Sequence, residues 1–131
     1  MKKAAMNLKL IYPIILAGDY EKLVDWYIKT FDLRIKYKFE GEENYTVLEH
    51  SGQAVVGIAI AHEMGVKPTA PRNNTAIIQF SVSDIKGLFE RVREAGGKIL
   101  FGPSTDEEEG YLYGGLLDIE GNQIWVVEEK E

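Results

Sequence analysis

Two hydrophobic rhythms alternate along this chain, and each appears twice. Residues 8–17 are almost all apolar and rich in Ile and Leu, which predicts a buried strand. From Tyr20 the period lengthens. Leu23, Tyr27 and Phe31 recur every four residues, with Val24 and Trp26 beside them, and this predicts a core-facing helix over 20–31. Asp19 stands at the capping position and Glu21 in the first turn, where acids suit the helix dipole. Residues 33–39 alternate strictly, as a half-exposed strand does, and Gly41 marks a turn. Strands at 44–49 and 53–61 follow, joined by His50, Ser51 and Gly52.

The rhythm breaks at 62–74, where Gly65, Pro68, Pro71, Asn73 and Asn74 interrupt any period and predict a linker. It then restarts. A strand is expected at 75–82. Asp84 caps a helix whose apolar stripe is Ile85, Leu88, Phe89 and Val92, and Ala95-Gly96-Gly97 ends it. A strand at 98–101 should stop at Gly102-Pro103. Asp106 to Glu109 reads as a solvated loop, and 111–118 with 123–128 as a hairpin around Glu120-Gly121-Asn122.

The halves therefore repeat. Asp19 matches Asp84 at an offset of 65, and the run Leu48 to Val55 matches Leu117 to Ile124 at an offset of 69. Four extra residues belong in the acidic loop of the second half. We expect one α+β domain over 1–131: a β-α-β-β-β module at about 8–61, a linker at 62–74 and a second module at about 75–129. Each module exposes a sheet face that its own helix leaves bare. Pairing those faces is expected to leave a cleft between the sheets.

Composition narrows the options. The chain has 131 residues, 45% of them hydrophobic, enough for a real core. A formal charge of −6 repels phosphate backbones, so nucleic acid is not an expected partner. No apolar run is long enough to cross a membrane, and residues 1–7 are too short and polar for a secretory signal. The absence of cysteine removes disulfides, thiolate metal sites and a thiol nucleophile, and suggests the cytoplasm.

In this order and at these spacings, several short motifs resemble the glyoxalase/bleomycin-resistance/dioxygenase (vicinal-oxygen-chelate) superfamily. They are Asp19 followed by Trp26-Tyr27-x-x-x-Phe31-x-Leu33, then Phe80-x-Val82-x-Asp84-Ile85, then Ala95-Gly96-Gly97, and Asp118-x-x-Gly121-Asn122-x-Ile124. The resemblance spans roughly residues 10–128. It implies paired β-α-β-β-β modules. In metal-dependent members it implies ligands on the first and last strand of each module. The positions that match are Tyr12 and Ile77 on the first strands, and Trp125 with its repeat partner Val56 on the last. Ile and Val donate nothing to a metal, and Trp offers only an N–H. The resemblance thus points to a member with no metal and no other cofactor, similar to the bleomycin-resistance proteins, and implies a homodimer with shared grooves.

The same matching directs Tyr12, Ile14 and Leu16 into one cleft wall and Ile77, Gln79 and Ser81 into the other, with Trp125 and Val127 beside them. Tyr12, Tyr45, Gln79, Tyr111, Tyr113 and Trp125 are the expected ligand-binding residues, suited to a flat or cationic organic molecule such as an antibiotic. Packing of a small core explains the same aromatics. No catalytic residue is assigned: no phosphate loop, Ser/His/Asp order or paired-His motif occurs. The alternative is a metal-dependent lyase or dioxygenase with a displaced site at His62, Glu63 or Glu49.

Overall fold

The computed structural model describes residues 6–41, 44–68 and 75–128. Its first module runs β1 (Ile14–Ala17), α1 (Tyr20–Phe31), β2 (Arg34–Phe39), β3 (Tyr45–His50) and β4 (Gln53–Ile60). A short 3₁₀ turn, His62–Met64, opens the linker, of which residues 69–74 (Pro71, Asn73 and Asn74 included) lie outside the described ones. The second module repeats the order with β5 (Ile78–Val82), α2 (Ile85–Glu94), β6 (Lys98–Thr105), β7 (Leu112–Leu117) and β8 (Gln123–Glu128). Each forms a four-stranded sheet, β1-β4-β3-β2 and β5-β8-β7-β6, with the first and last strands parallel. The expected α+β architecture of two matched modules is what the chain adopts.

Local chemistry accounts for the helices. The side chain of Asp19 accepts from the Lys22 N–H and that of Asp84 from the Gly87 N–H, so each helix starts on its predicted cap. Gly96, at φ 87°, turns the chain out of α2. Gly97 has another task. A Cβ there would lie 2.9 Å from the Trp26 ring, so the missing side chain lets α1 close on the second module.

Three strands differ from expectation by more than a residue; β5 begins at Ile78 rather than residue 75. β1 begins at Ile14 rather than residue 8: Pro13 has no N–H to give to the ladder, and residues 8 and 9 lie beyond Gln53, where β4 begins. β6 does not stop at Gly102-Pro103 but continues to Thr105. It lies at a sheet edge and shifts register around Phe101, which is where a sheet tolerates proline.

The modules meet through their helix-bearing sides. One core contains Leu23, Trp26 and Tyr27 from α1 together with Phe89, Leu116 and Ile124 from the second module. Trp26 Nε1 donates to the Ala95 carbonyl at 3.0 Å, and the Phe31 and Phe80 rings meet edge to face. The Glu120 carboxylate accepts from the Gly18 and Asp19 N–H groups, both at 2.8 Å. The two bare sheet faces therefore point away from this contact instead of enclosing a cleft within the chain.

Tyr27 is fully buried and donates to Asp118 at 2.7 Å. Burial, reinforced by the Asp118 charge, pushes its hydroxyl well above the usual phenol range. A group whose folded value is raised contributes stability that is complete below the unfolded value, near pH 10, and is lost as pH rises through the folded one. The protein should lose about 1.4 kcal/mol per pH unit above pH 10 from this group alone. Melting Tyr27→Phe between pH 9 and 12 tests this. Its curve should fall less steeply than that of the native chain, and parallel curves would refute the assignment.

Candidate functional site

Strand register defines the outer faces. Ile15, Val56 and Leu48 point into the core, so alternation turns Ile14, Gly57 and Val47 outward. In the second module Ile124 and Leu116 are buried, which turns Gln79, Trp125 and Gly115 outward. Each outer face carries a cluster of rings.

On the first face, the Tyr12 and Tyr45 hydroxyls lie 2.8 Å apart, Phe39 stacks on Tyr45 at 4.7 Å, and Tyr37 meets Phe39 edge-on at 5.2 Å. The Tyr12 ring covers Gly57, where a Cβ would lie 2.9 Å from it. Hydrogen bonding to Tyr45 and then Tyr37 holds the Tyr12 hydroxyl above the usual phenol range, so it is a neutral phenol at physiological pH. On the second face, Phe101 lies across Gly115 and packs on Trp125 at 5.8 Å and Tyr113 at 6.5 Å, with Tyr111 6.2 Å beyond Tyr113. Gln79 sits beside Trp125 in register. Flanking outward residues such as Ile14, Val47, Ser81 and Val127 carry no charge.

The six residues expected to bind a ligand thus fall into two groups. Tyr12 and Tyr45 belong to the first face; Gln79, Tyr111, Tyr113 and Trp125 belong to the second. A groove of about 760 Å³ beside β1 and β5 is lined by both Tyr12 and Gln79, whereas Tyr45, Tyr111, Tyr113 and Trp125 do not line it. Sequence reasoning missed Tyr37, Phe39 and Phe101. The signal was present: Tyr37 and Phe39 alternate with Lys36 and Lys38, and Phe101 occupies the position in β6 that Tyr37 holds in β2.

One matched position moves. Val56 pairs with Leu48 as Ile124 pairs with Leu116, and both are fully buried. Val56 is therefore not the counterpart of Trp125; Gly57 is. A register shift after Leu48 leaves Val55 unpaired and displaces the repeat by one residue, which in a strand exchanges the faces.

The positions that would carry a metal in the superfamily's metal-dependent members are then Tyr12, Gly57, Ile77 and Trp125. They provide one neutral phenol and no other donor, which does not fit a divalent ion. The displaced residues fit no better. Glu63 accepts from the Asn44 backbone at 2.9 Å, Glu49 lies 3.7 Å from Lys36, and His62 is exposed. Among the described residues, no group of three His, Cys, Asp or Glu is arranged to hold a metal. The acidic loop has a local explanation: Asp106 accepts from the Glu108 and Glu109 N–H groups at 2.9 and 2.8 Å, mainly the latter holding its carboxyl below the usual range.

Comparison with known proteins gives the family. The chain's fold matches a glyoxalase-related enzyme from Fulvimarina pelagi (19% identity, TM-score 0.70, covering 92% of this chain and 88% of that one). It matches TioX from Micromonospora sp. ML1 (18%, 0.71, 93% and 99%). It also matches a glyoxalase I mutant from Zea mays (15%, 0.73, 94% of this chain but 46% of that one). No curated protein matches in sequence. The family model named Glyoxalase/Bleomycin resistance protein/Dioxygenase superfamily matches residues 9–126, and the chain belongs to that superfamily.

Proposed function

We propose that this protein is a metal-independent binder of a flat aromatic compound, neutral or carrying a delocalised cation, and that it works as a homodimer. The observation that carries the reading is the pair of ring-lined outer faces, which meet the groove beside β1 and β5 through Tyr12 and Gln79. Rings present π-faces for stacking and cation–π contact, and the phenols and Gln79 supply hydrogen bonds that orient a ligand. The donor set at the superfamily's metal positions supports chemistry without a metal. Partial exposure supports a second copy over these faces: Trp125 is 41% exposed and Phe39 48%.

Trp125 reports on the proposal directly, because the other tryptophan, Trp26, is buried. Titration with a panel of aromatic and cationic aromatic compounds should quench the Trp125 emission and raise the melting temperature. Trp125→Ala should weaken binding about tenfold, the scale of one lost aromatic stack with its buried area. A panel that leaves emission and melting unchanged would sink the reading. So would stoichiometric Zn, Ni, Mn or Fe that survives dialysis against a chelator.

A further inference from the structure

The repeat creates two matched spaces where the helix sides of the modules meet, and the chain fills only one of them. On the filled side Trp26 lies over Gly97 and donates to the Ala95 carbonyl. There the Glu120 carboxylate accepts from the Gly18 and Asp19 N–H groups, both at 2.8 Å. At the repeat offset of 65, Trp26 matches Arg91, Ala95 matches Thr30, and Gly18 and Asp19 match Ser83 and Asp84. Glu120 has no counterpart. The β3–β4 turn is Ser51-Gly52, one residue shorter than Ile119-Glu120-Gly121 and without a carboxylate.

On the second side a cavity of about 410 Å³ remains, bounded by α1, α2, the end of β5 and the β3–β4 turn. Phe31, Leu33, Val55, Phe80 and Val82 give it an apolar wall. Ile15 and Ala17 are buried on the filled side, whereas Phe80 and Val82, which match them, stay partly exposed. Among the described residues, several polar groups at this cavity have no partner. The Ser83 and Asp84 N–H groups are unbonded, since Glu128 takes only the next one, that of Ile85, at 3.0 Å. Arg91 lines the cavity and makes no ion pair. Thr30 lines it too, is 1% exposed, and its buried hydroxyl makes no hydrogen bond, which folded proteins seldom leave so.

We propose that this cavity binds a small aromatic monocarboxylate. The filled side is the template: an indole ring and a carboxylate, the latter held by two N–H groups at a helix start. The ligand's carboxylate takes the Ser83 and Asp84 N–H groups with Arg91 as its counter-charge, and its ring lies against Phe31, Leu33 and Phe80. The capping carboxylate of Asp84 does not bar an anion, because Asp19 caps α1 in the same way beside Glu120. Asp32 also lines the cavity, which limits the ligand to one negative charge. The volume is in the range of small-molecule sites. This site lies on the helix side and is separate from the ring-lined outer faces.

Benzoate, phenylacetate and indoleacetate, each beside its uncharged carboxamide, are titrated into the isotope-labelled native chain. At least one carboxylate should shift the Ser83 and Asp84 backbone resonances to saturation, and its carboxamide should bind at least tenfold more weakly. Arg91 is exposed, so Arg91→Gln folds, and it should weaken the same carboxylate at least tenfold. Arg91→Trp restores the residue that its repeat partner carries; it should abolish the shifts without lowering the melting temperature. The proposal is overturned by no saturable shift at Ser83 and Asp84 from any of the three acids, by equal affinity for acid and carboxamide, or by unchanged affinity in Arg91→Gln. Shifts confined to Gly57 and Gly115 on the outer faces also overturn it, and they leave the outer-face reading standing.

Discussion

Asp118→Ala should cost about 2–4 kcal/mol of folding stability, a large fraction of what a domain of this size possesses. The Asp118 carboxylate is 3% exposed and accepts four hydrogen bonds. Oδ1 takes the Glu120 and Asn122 backbone N–H groups at 2.8 and 3.0 Å, shaping the β7–β8 turn. Oδ2 takes the Tyr27 hydroxyl at 2.7 Å and Asn122 Nδ2 at 2.9 Å. Alanine leaves all four donors without that acceptor, and Tyr27 is too deeply buried to find water. The turn also places Glu120 on the Gly18 and Asp19 N–H groups, so the loss spreads to the contact between modules. Urea unfolding followed by circular dichroism should show the loss directly, and the melting temperature should fall by roughly 10 °C or more. Asp118→Asn keeps one acceptor oxygen and should cost less, about 1–3 kcal/mol. A loss below about 1 kcal/mol for the alanine variant would show that the network contributes little.

The second large effect is expected at β7, where consecutive glycines each accommodate a phenylalanine on opposite faces. A Cβ on Gly114 would lie 2.6 Å from the Phe89 ring in the core. A Cβ on Gly115 would lie 2.4 Å from the Phe101 ring on the outer face. The distances are similar, but the surroundings differ: Phe89 is 1% exposed and Phe101 38%. Phe89→Ala should cost about 3–5 kcal/mol through the cavity it leaves, and Gly114→Ala about 1–3 kcal/mol through overpacking. The double variant should cost less than the sum, because the new methyl enters the space the ring vacated. Gly115→Ala should stay within about 1 kcal/mol, since Phe101 can swing toward solvent. That variant should instead disturb ligand binding on the second face. Equal costs for the two glycine substitutions would contradict this account of β7.

Much of this was legible beforehand. The α1 span, the caps Asp19 and Asp84 and the β8 span follow from period and local hydrogen bonding, which a sequence displays openly. The repeat also indicated that both modules would contribute matched positions to a site. Tyr37, Phe39 and Phe101 went unread as site residues because their strands lie at sheet edges, where alternation alone does not say which face carries function. Val56 was assigned to the wrong face because a one-residue shift beside Leu48 is invisible to pattern matching.

The sequence by itself determined the two modules, their order, their helices and most of their strands, because helix and strand periods depend on near neighbours. Only the tertiary structure decided how the modules meet. Both faces of each sheet carry large hydrophobic side chains: Leu, Ile and Val beneath the helix, Tyr, Phe and Trp on the other side. Alternation sorts these residues into two faces but cannot say which face turns toward the second module. That choice rests on long-range contacts, Tyr27 with Asp118, Trp26 with Ala95 and Gly97, and Glu120 with the start of α1. Those contacts direct the helix sides together and leave the aromatic faces outward.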